Sequence, residues 1–105
     1  MTALAPRSHA QSLEALARAN AIRSLRADLK RTLTRSQAVE LLAQTPAWLA
    51  SMRTYELLIA IPAIGRSKAL GLLARTDVSP AKTLGGLSPR QREALSRCLM
   101  SGRTR

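Results

Sequence analysis

Four residues, Pro62-Ala63-Ile64-Gly65, interrupt two apolar runs of helical period and fix the local topology of this chain. Proline has no N–H and disfavours αR in the residue before it, so the run Leu57-Leu58-Ile59-Ala60-Ile61 should end as a helix at about Ile61. Gly65 permits a tight backbone turn or a close approach to a ligand. Ala69, Leu70, Leu72 and Leu73 then restart an apolar helical face. Residues 57–75 therefore read as helix, hairpin, helix. The first N–H groups of the second helix have no internal partners and carry the positive end of its dipole, which suits a phosphate oxygen. Arg66, Ser67 and Lys68 stand in that first turn and would add a guanidinium fork, a hydroxyl and an ammonium. The same four residues would also serve as a plain turn between two core helices with solvated cations. Positive charge at a helix N-terminus is unfavourable by about a few tenths of a kcal/mol, however, which points to an anionic partner.

Charge supports that direction. The chain has 105 residues, with 17 Lys plus Arg against 6 acids and a net charge of +11. One domain over residues 1–105 is expected. Basic residues run from Arg7 to Arg105 without forming one tail, the footprint of a protein that binds a polyanion. No apolar run approaches the ~18 residues of a membrane span. Met1 to Ala10 lacks a basic segment followed by an apolar one, so a cytoplasmic or nucleoid location is expected. Cys98 is the only cysteine, which excludes an internal disulfide and a cysteine-based zinc site. The six acids and one histidine are spread singly, without a metal-ligand cluster or a Cys/His pair, so neither catalysis nor a cofactor is expected. Aromatics are reduced to Trp48 and Tyr55, and single strands usually need stacking platforms. The scarcity favours contact with the backbone of a duplex.

The remaining segments read as helix or loop, and no run alternates with period 2. Residues 1–11 show no periodicity and read as a frayed end; His9 has no second ligand in sight. Ser12 to about Thr34 reads as a long helix with Ile22, Leu25, Leu29 and Leu33 as its buried stripe, its first half projecting beyond the core. Arg23, Arg26 and Lys30 lie to one side of that stripe, with Arg18 near the other border, and suggest a basic face. Thr34 and Gln37 have capping-box spacing for a second helix to Ala43, with Val39, Leu41 and Leu42 as core candidates. Thr45-Pro46 resembles a cap followed by proline at N1, leading to Trp48 as a core anchor, and Thr54 is a candidate cap for the helix entering the hairpin. After Arg75 comes a loop, with Leu84 and Leu87 turned inward and Lys82 outward. Ser88-Pro89-Arg90-Gln91 is a helix start with a cap, proline at N1 and a capping box. Ala94, Leu95 and Leu99 should face inward, and Gly102 with the basic tail ends this last helix. The expected fold is all-α: an extended N-terminal helix over residues 1–35 and a globular helical core over 36–105 containing the hairpin.

Taken in order, these residues resemble the actinobacterial-type integration host factors. Arg26-Ala27-Asp28-Leu29-Lys30 is similar to that family's Arg-Ala-acid-Leu-Lys. Leu57-Leu58 through Ile61-Pro62-Ala63-Ile64-Gly65-Arg66-Ser67-Lys68-Ala69 is similar to its Leu-Leu…Leu-Pro-Lys-Val-Gly-Lys-x-Lys-Ala. Leu84-Gly85-Gly86-Leu87 followed by Arg90-Gln91-Arg92 resembles its loop and last helix. The resemblance implies a helix-two-turns-helix domain that binds double-stranded DNA with little sequence preference, bends or compacts it, and supports phage integration, without catalysis. The chain departs from the pattern at Ala63, where the family often has lysine, and at Lys82, Thr83 and Gly85, where it has three basic residues. A second DNA surface at that loop should be weaker here, and the departures fit a divergent or phage-encoded relative.

The expected DNA-binding residues are Gly65, Arg66, Ser67 and Lys68, with Arg53, Lys82, Arg90 and Arg92 as outer contacts and Arg23, Arg26 and Lys30 as a flanking strip. Neutralising about six phosphates would give a log-log salt slope near −5. A monomer on duplex DNA is expected, in company with a phage integrase or recombinase complex and with no membrane partner. An RNA- or ribosome-associated module of the same fold is the alternative, and a helical adaptor for an acidic protein is a third reading.

Overall fold

A computed structural model describes residues 9–101, and every helix or turn-helix among them fits an all-α fold without strands. Five α-helices follow in order: α1 (His9–Thr32), α2 (Arg35–Ala43), α3 (Thr54–Ala60), α4 (Arg66–Arg75) and α5 (Pro89–Met100). Short 3-10 turns lie at Ala47–Leu49 and Leu84–Gly86. Of the frayed end expected over residues 1–11, residues 1–8 lie outside the described residues, as does the basic tail from Gly102, while residues 9–11 are helical. The first helix starts at His9, ahead of the expected Ser12.

Local signals place most helix ends. Thr34 caps α2 and Ser88 caps α5; each hydroxyl accepts from the N3 amide, and the Gln37 or Gln91 side chain accepts from the cap amide. The last residue of α3 is Ala60, with Ile61 as its cap before Pro62, and α4 follows Gly65. Two expected caps do other work. Thr45 does not open the turn at Ala47–Leu49, which starts from Pro46; its hydroxyl donates to Leu41 O at 2.8 Å. Thr54 is the first residue of α3 rather than its cap, and its fully buried hydroxyl donates to Lys82 O at 3.0 Å.

Packing joins α2 to α5, α3 to α4, α4 to α5 and α1 to α3. Leu42, Leu57, Leu58, Leu72, Leu95 and Leu99 seal the centre, and Leu84 and Leu87 are drawn in from the late loop. Trp48 and Cys98 are half-buried against this core, as are Val39 and Leu41. Of α1, only the C-terminal half docks. Leu13 and Leu16 are each 54% exposed, and the long axis of 56 Å against 26 and 23 Å reflects the projecting N-terminal half.

The inward stripe of α1 differs from the expected one. Leu25 is 47% exposed, whereas Ile22, Arg26, Leu29 and Leu33 turn toward the core. At about 100° per residue, Arg26 lies about 40° from the middle of a stripe defined by Ile22, Leu29 and Leu33, and Leu25 lies about 60° from it on the other side. Arg26 is therefore a docking residue. Its Nε and Nη2 donate to Trp48 O at 3.1 and 2.9 Å, and Nη2 also donates to Ser51 Oγ at 2.6 Å. Arg92 plays the same part between α5 and its neighbours: Nη1 donates to Leu42 O at 2.9 Å and Thr45 Oγ1 at 2.7 Å, and Nη2 to Leu84 O at 2.7 Å. Both arginines were expected on the DNA-facing surface. Instead each guanidinium is tied to backbone carbonyls of neighbouring segments, Arg26 to Trp48 O and Arg92 to Leu42 O and Leu84 O.

Candidate nucleic-acid interface

The hairpin between α3 and α4 is a tight turn closed by Ile64 N donating to Ile61 O at 3.1 Å. Pro62 occupies its second position. The positive φ of 71° falls on Ala63 rather than on glycine, a type II pattern that favours glycine at that place. Lys68 Nζ reaches back to donate to Ala63 O at 3.3 Å. Gly65 itself is extended, with φ −92° and ψ −173°, so it is not the residue that makes the turn. A Cβ there would meet nothing within 4 Å. Neither backbone conformation nor internal packing calls for glycine at position 65, and the space beside it is open.

The start of α4 is correspondingly bare. No side chain caps it, and its first intrahelical bond runs from Ala69 N to Gly65 O at 2.9 Å. Among the described residues nothing accepts from the amides of Arg66, Ser67 and Lys68. All three residues are exposed. The first turn of α4 holds no acid, so its dipole and two cations add without compensation. Arg66 is steadied by Tyr55, a half-buried residue of α3 whose hydroxyl accepts from Arg66 Nε at 3.3 Å. The sequence pattern does not single out Tyr55; the available signal is its place near the start of the helix that enters the hairpin, as one of only two aromatics.

Arg53 and Lys82 are brought together from distant parts of the chain. An isolated antiparallel bridge pairs Arg53 with Thr83, flanked by Thr54 N donating to Lys82 O at 2.9 Å and Leu84 N donating to Met52 O at 2.8 Å. Both side chains belong to exposed residues. Next to them, Gly85 N donates to Ala50 O at 2.9 Å, and a Cβ on Gly85 would lie 3.0 Å from Ala50 Cβ and from Ala50 O. No larger side chain enters that position without displacing Ala50.

The other expected residues are elsewhere. Arg90 is exposed but lines a cleft of about 490 Å³ with Arg75, Thr76, Asp77 and Gln91, at the C-terminal end of α4. A ten-residue helix is about 15 Å long, so Arg90 is a helix length away from Gly65. Lys30 pairs with Glu56 at 3.1 Å, and Arg23 Nη1 donates to Asn20 Oδ1 at 2.7 Å. With Arg26 turned inward, the three do not form the expected free basic strip. Among the described residues no group of three His, Cys, Asp or Glu side chains is placed to hold a metal ion, and no helix is long and apolar enough to cross a membrane.

Known proteins resemble this chain in sequence and fold. Residues 29–98 match the family described as the S13-like H2TH domain. The chain is 37% identical over 89 residues to an integration host factor of Mycolicibacterium smegmatis, covering 81% of this chain and 85% of the relative. It is 36% identical over 89 residues to that of Mycobacterium tuberculosis, with the same coverage. Among solved structures it resembles sIHF bound to an 8-bp palindromic DNA, with a TM-score of 0.67 and 26% identity over 76% of this chain and 94% of that one. The S13-like helix-two-turns-helix match over residues 29–98, together with the identity to two mycobacterial integration host factors over most of both chains, places this chain in the family of actinobacterial-type integration host factors.

Proposed function

We propose that this chain is a non-enzymatic, nucleoid-associated protein that binds double-stranded DNA through its phosphate backbone, with low sequence specificity. The observation that carries this reading is the row of unpartnered amides at Arg66, Ser67 and Lys68, set under two exposed cations and behind a glycine with open space at its Cβ. A phosphate oxygen seated there meets N–H donors, the helix dipole and the Arg66 and Lys68 charges at once. Arg53 and Lys82 form a second pair of exposed cations. Contacts of this kind set position and carry no base information. The relatives' name and the DNA-bound neighbour support duplex DNA as the polyanion. Bending or compaction of DNA, support of integrative recombination beside an integrase, action as a monomer and residence in the cytoplasmic nucleoid complete the reading.

Salt titration of binding to a labelled duplex tests it. With Arg53, Arg66, Lys68 and Lys82 as the contributing cations, about four phosphates are neutralised, and the log-log slope should be near −3.6 instead of the −5 expected for six. Changing Arg66 and Lys68 together to Ala should lower its magnitude by about 1.8. A structured RNA of equal length is the control. Tighter binding to that RNA at equal salt would favour a ribosome-like role, and an unchanged slope in the double variant would remove the hairpin from the interface.

A further inference from the structure

We propose that Tyr55 is part of the phosphate seat: its hydroxyl both holds Arg66 and donates its own proton to the phosphate oxygen bound at the start of α4. The inference rests on the reading of the hairpin mouth given above. The Tyr55 ring is half-buried against the core, so its oxygen is carried on a fixed lever rather than a mobile one. That oxygen accepts from Arg66 Nε at 3.3 Å. A phenol has one proton to donate in addition to its acceptor capacity. Among the described residues no acceptor takes the Tyr55 proton. The proton is thus left free beside Arg66, the first residue of α4, where the neighbouring amides are also without partners.

Two consequences follow for the guanidinium and the hydroxyl. With Nε tied to Tyr55, the terminal nitrogens of Arg66 remain for the fork that matches two phosphate oxygens, and part of the side chain's rotamer freedom is already lost before DNA arrives. A hydroxyl that accepts from a cation is polarised into a stronger donor. Tyr55 therefore adds a neutral donor to a site otherwise made of amides and charges, and no part of this requires base stacking. It acts on Arg66 as a positioning residue and on the phosphate as a contact.

The Tyr55→Phe variant keeps the ring and its packing and removes only the hydroxyl. Duplex binding at fixed salt should weaken about ten- to a hundredfold, the range of a hydrogen bond to a charged group. Its salt slope should be unchanged, because a neutral hydroxyl releases no counterion, whereas Arg66→Ala should lower the slope by about 0.9. Added to Arg66→Ala, Tyr55→Phe should still weaken binding; silence there would overturn the donor role. Wild-type affinity in Tyr55→Phe, with binding lost in the Arg66 and Lys68 double variant, would overturn the inference and leave the hairpin reading intact. Wild-type affinity in all of these variants would overturn the hairpin reading itself. A Tyr55→Phe protein whose melting temperature falls together with its affinity would make the hydroxyl a fold element and overturn the inference.

Discussion

Helices α4 and α5 begin in opposite ways. At α5, Ser88 Oγ accepts from Gln91 N at 3.1 Å, Gln91 Oε1 accepts from Ser88 N at 2.9 Å, and Pro89 removes a further donor. At α4, Gly65 offers no side chain, and the amides of Arg66, Ser67 and Lys68 find no acceptor among the described residues. The chain closes α2 with the same device it uses on α5, so closing a helix start is within easy reach of this sequence. A side-chain cap contributes about 1 kcal/mol relative to alanine, and α4 forgoes it while placing two cations where the dipole disfavours them. The two starts differ in that α5 finishes its hydrogen bonding within the protein, whereas α4 leaves its donors open, where the proposed function seats a phosphate. Binding to the folded state alone then stabilises it by mass action.

Converting α4 to the α5 pattern should have the largest effect. In Gly65→Asp the new side chain meets open space at an ordinary φ, so the carboxylate is free to cap α4 and occupy the phosphate seat. Duplex affinity measured by fluorescence anisotropy should fall by about a hundredfold or more, while the thermal midpoint holds or rises slightly. Loss of binding together with unfolding would instead make Gly65 a fold residue. Next comes Arg92→Ala, which leaves Leu42 O, Thr45 Oγ1 and Leu84 O without their guanidinium donor. Unfolding in urea should show a loss of about 2 kcal/mol, and the salt slope of the folded protein should not change. The converse of the first change is Ser88→Ala, which opens α5; it should cost about 1 kcal/mol of stability and leave duplex affinity alone. Smallest is Ala63→Gly, which relieves the positive φ in the hairpin and should raise stability by about 0.5–1 kcal/mol, read from the thermal midpoint.

Legibility followed the distance over which each signal acts. Both capping boxes and both ends of the hairpin were readable because cap, N3 residue and proline lie within one turn of each other. Arg26 and Arg92 were misread because their partners, Trp48 O and Leu42 O, lie 22 and 50 residues away, and nothing in the local spacing tells a solvated arginine from one that binds a distant carbonyl. Thr45 and Thr54 failed as caps for the same reason: Arg92 and Lys82 O, both remote in sequence, engage their hydroxyls. The inward face of α1 is offset from the leucine pattern because Arg26 docks on one border of the stripe while Leu25, on the other border, stays exposed. Of the two uses expected of Gly65, a tight turn or a close approach to a ligand, the structure removes the first: the backbone demand sits at Ala63, and Gly65 has open space at its Cβ.

The most direct test of this contrast is amide NMR of the labelled protein titrated with a short duplex at low salt. The amides of Arg66, Ser67 and Lys68 should show the largest shifts and gain protection from exchange, while those of Arg90 and Gln91 at the closed start of α5 stay in place. Unmoved amides at residues 66–68, with the changes centred on α5 or on the projecting half of α1, would contradict the account.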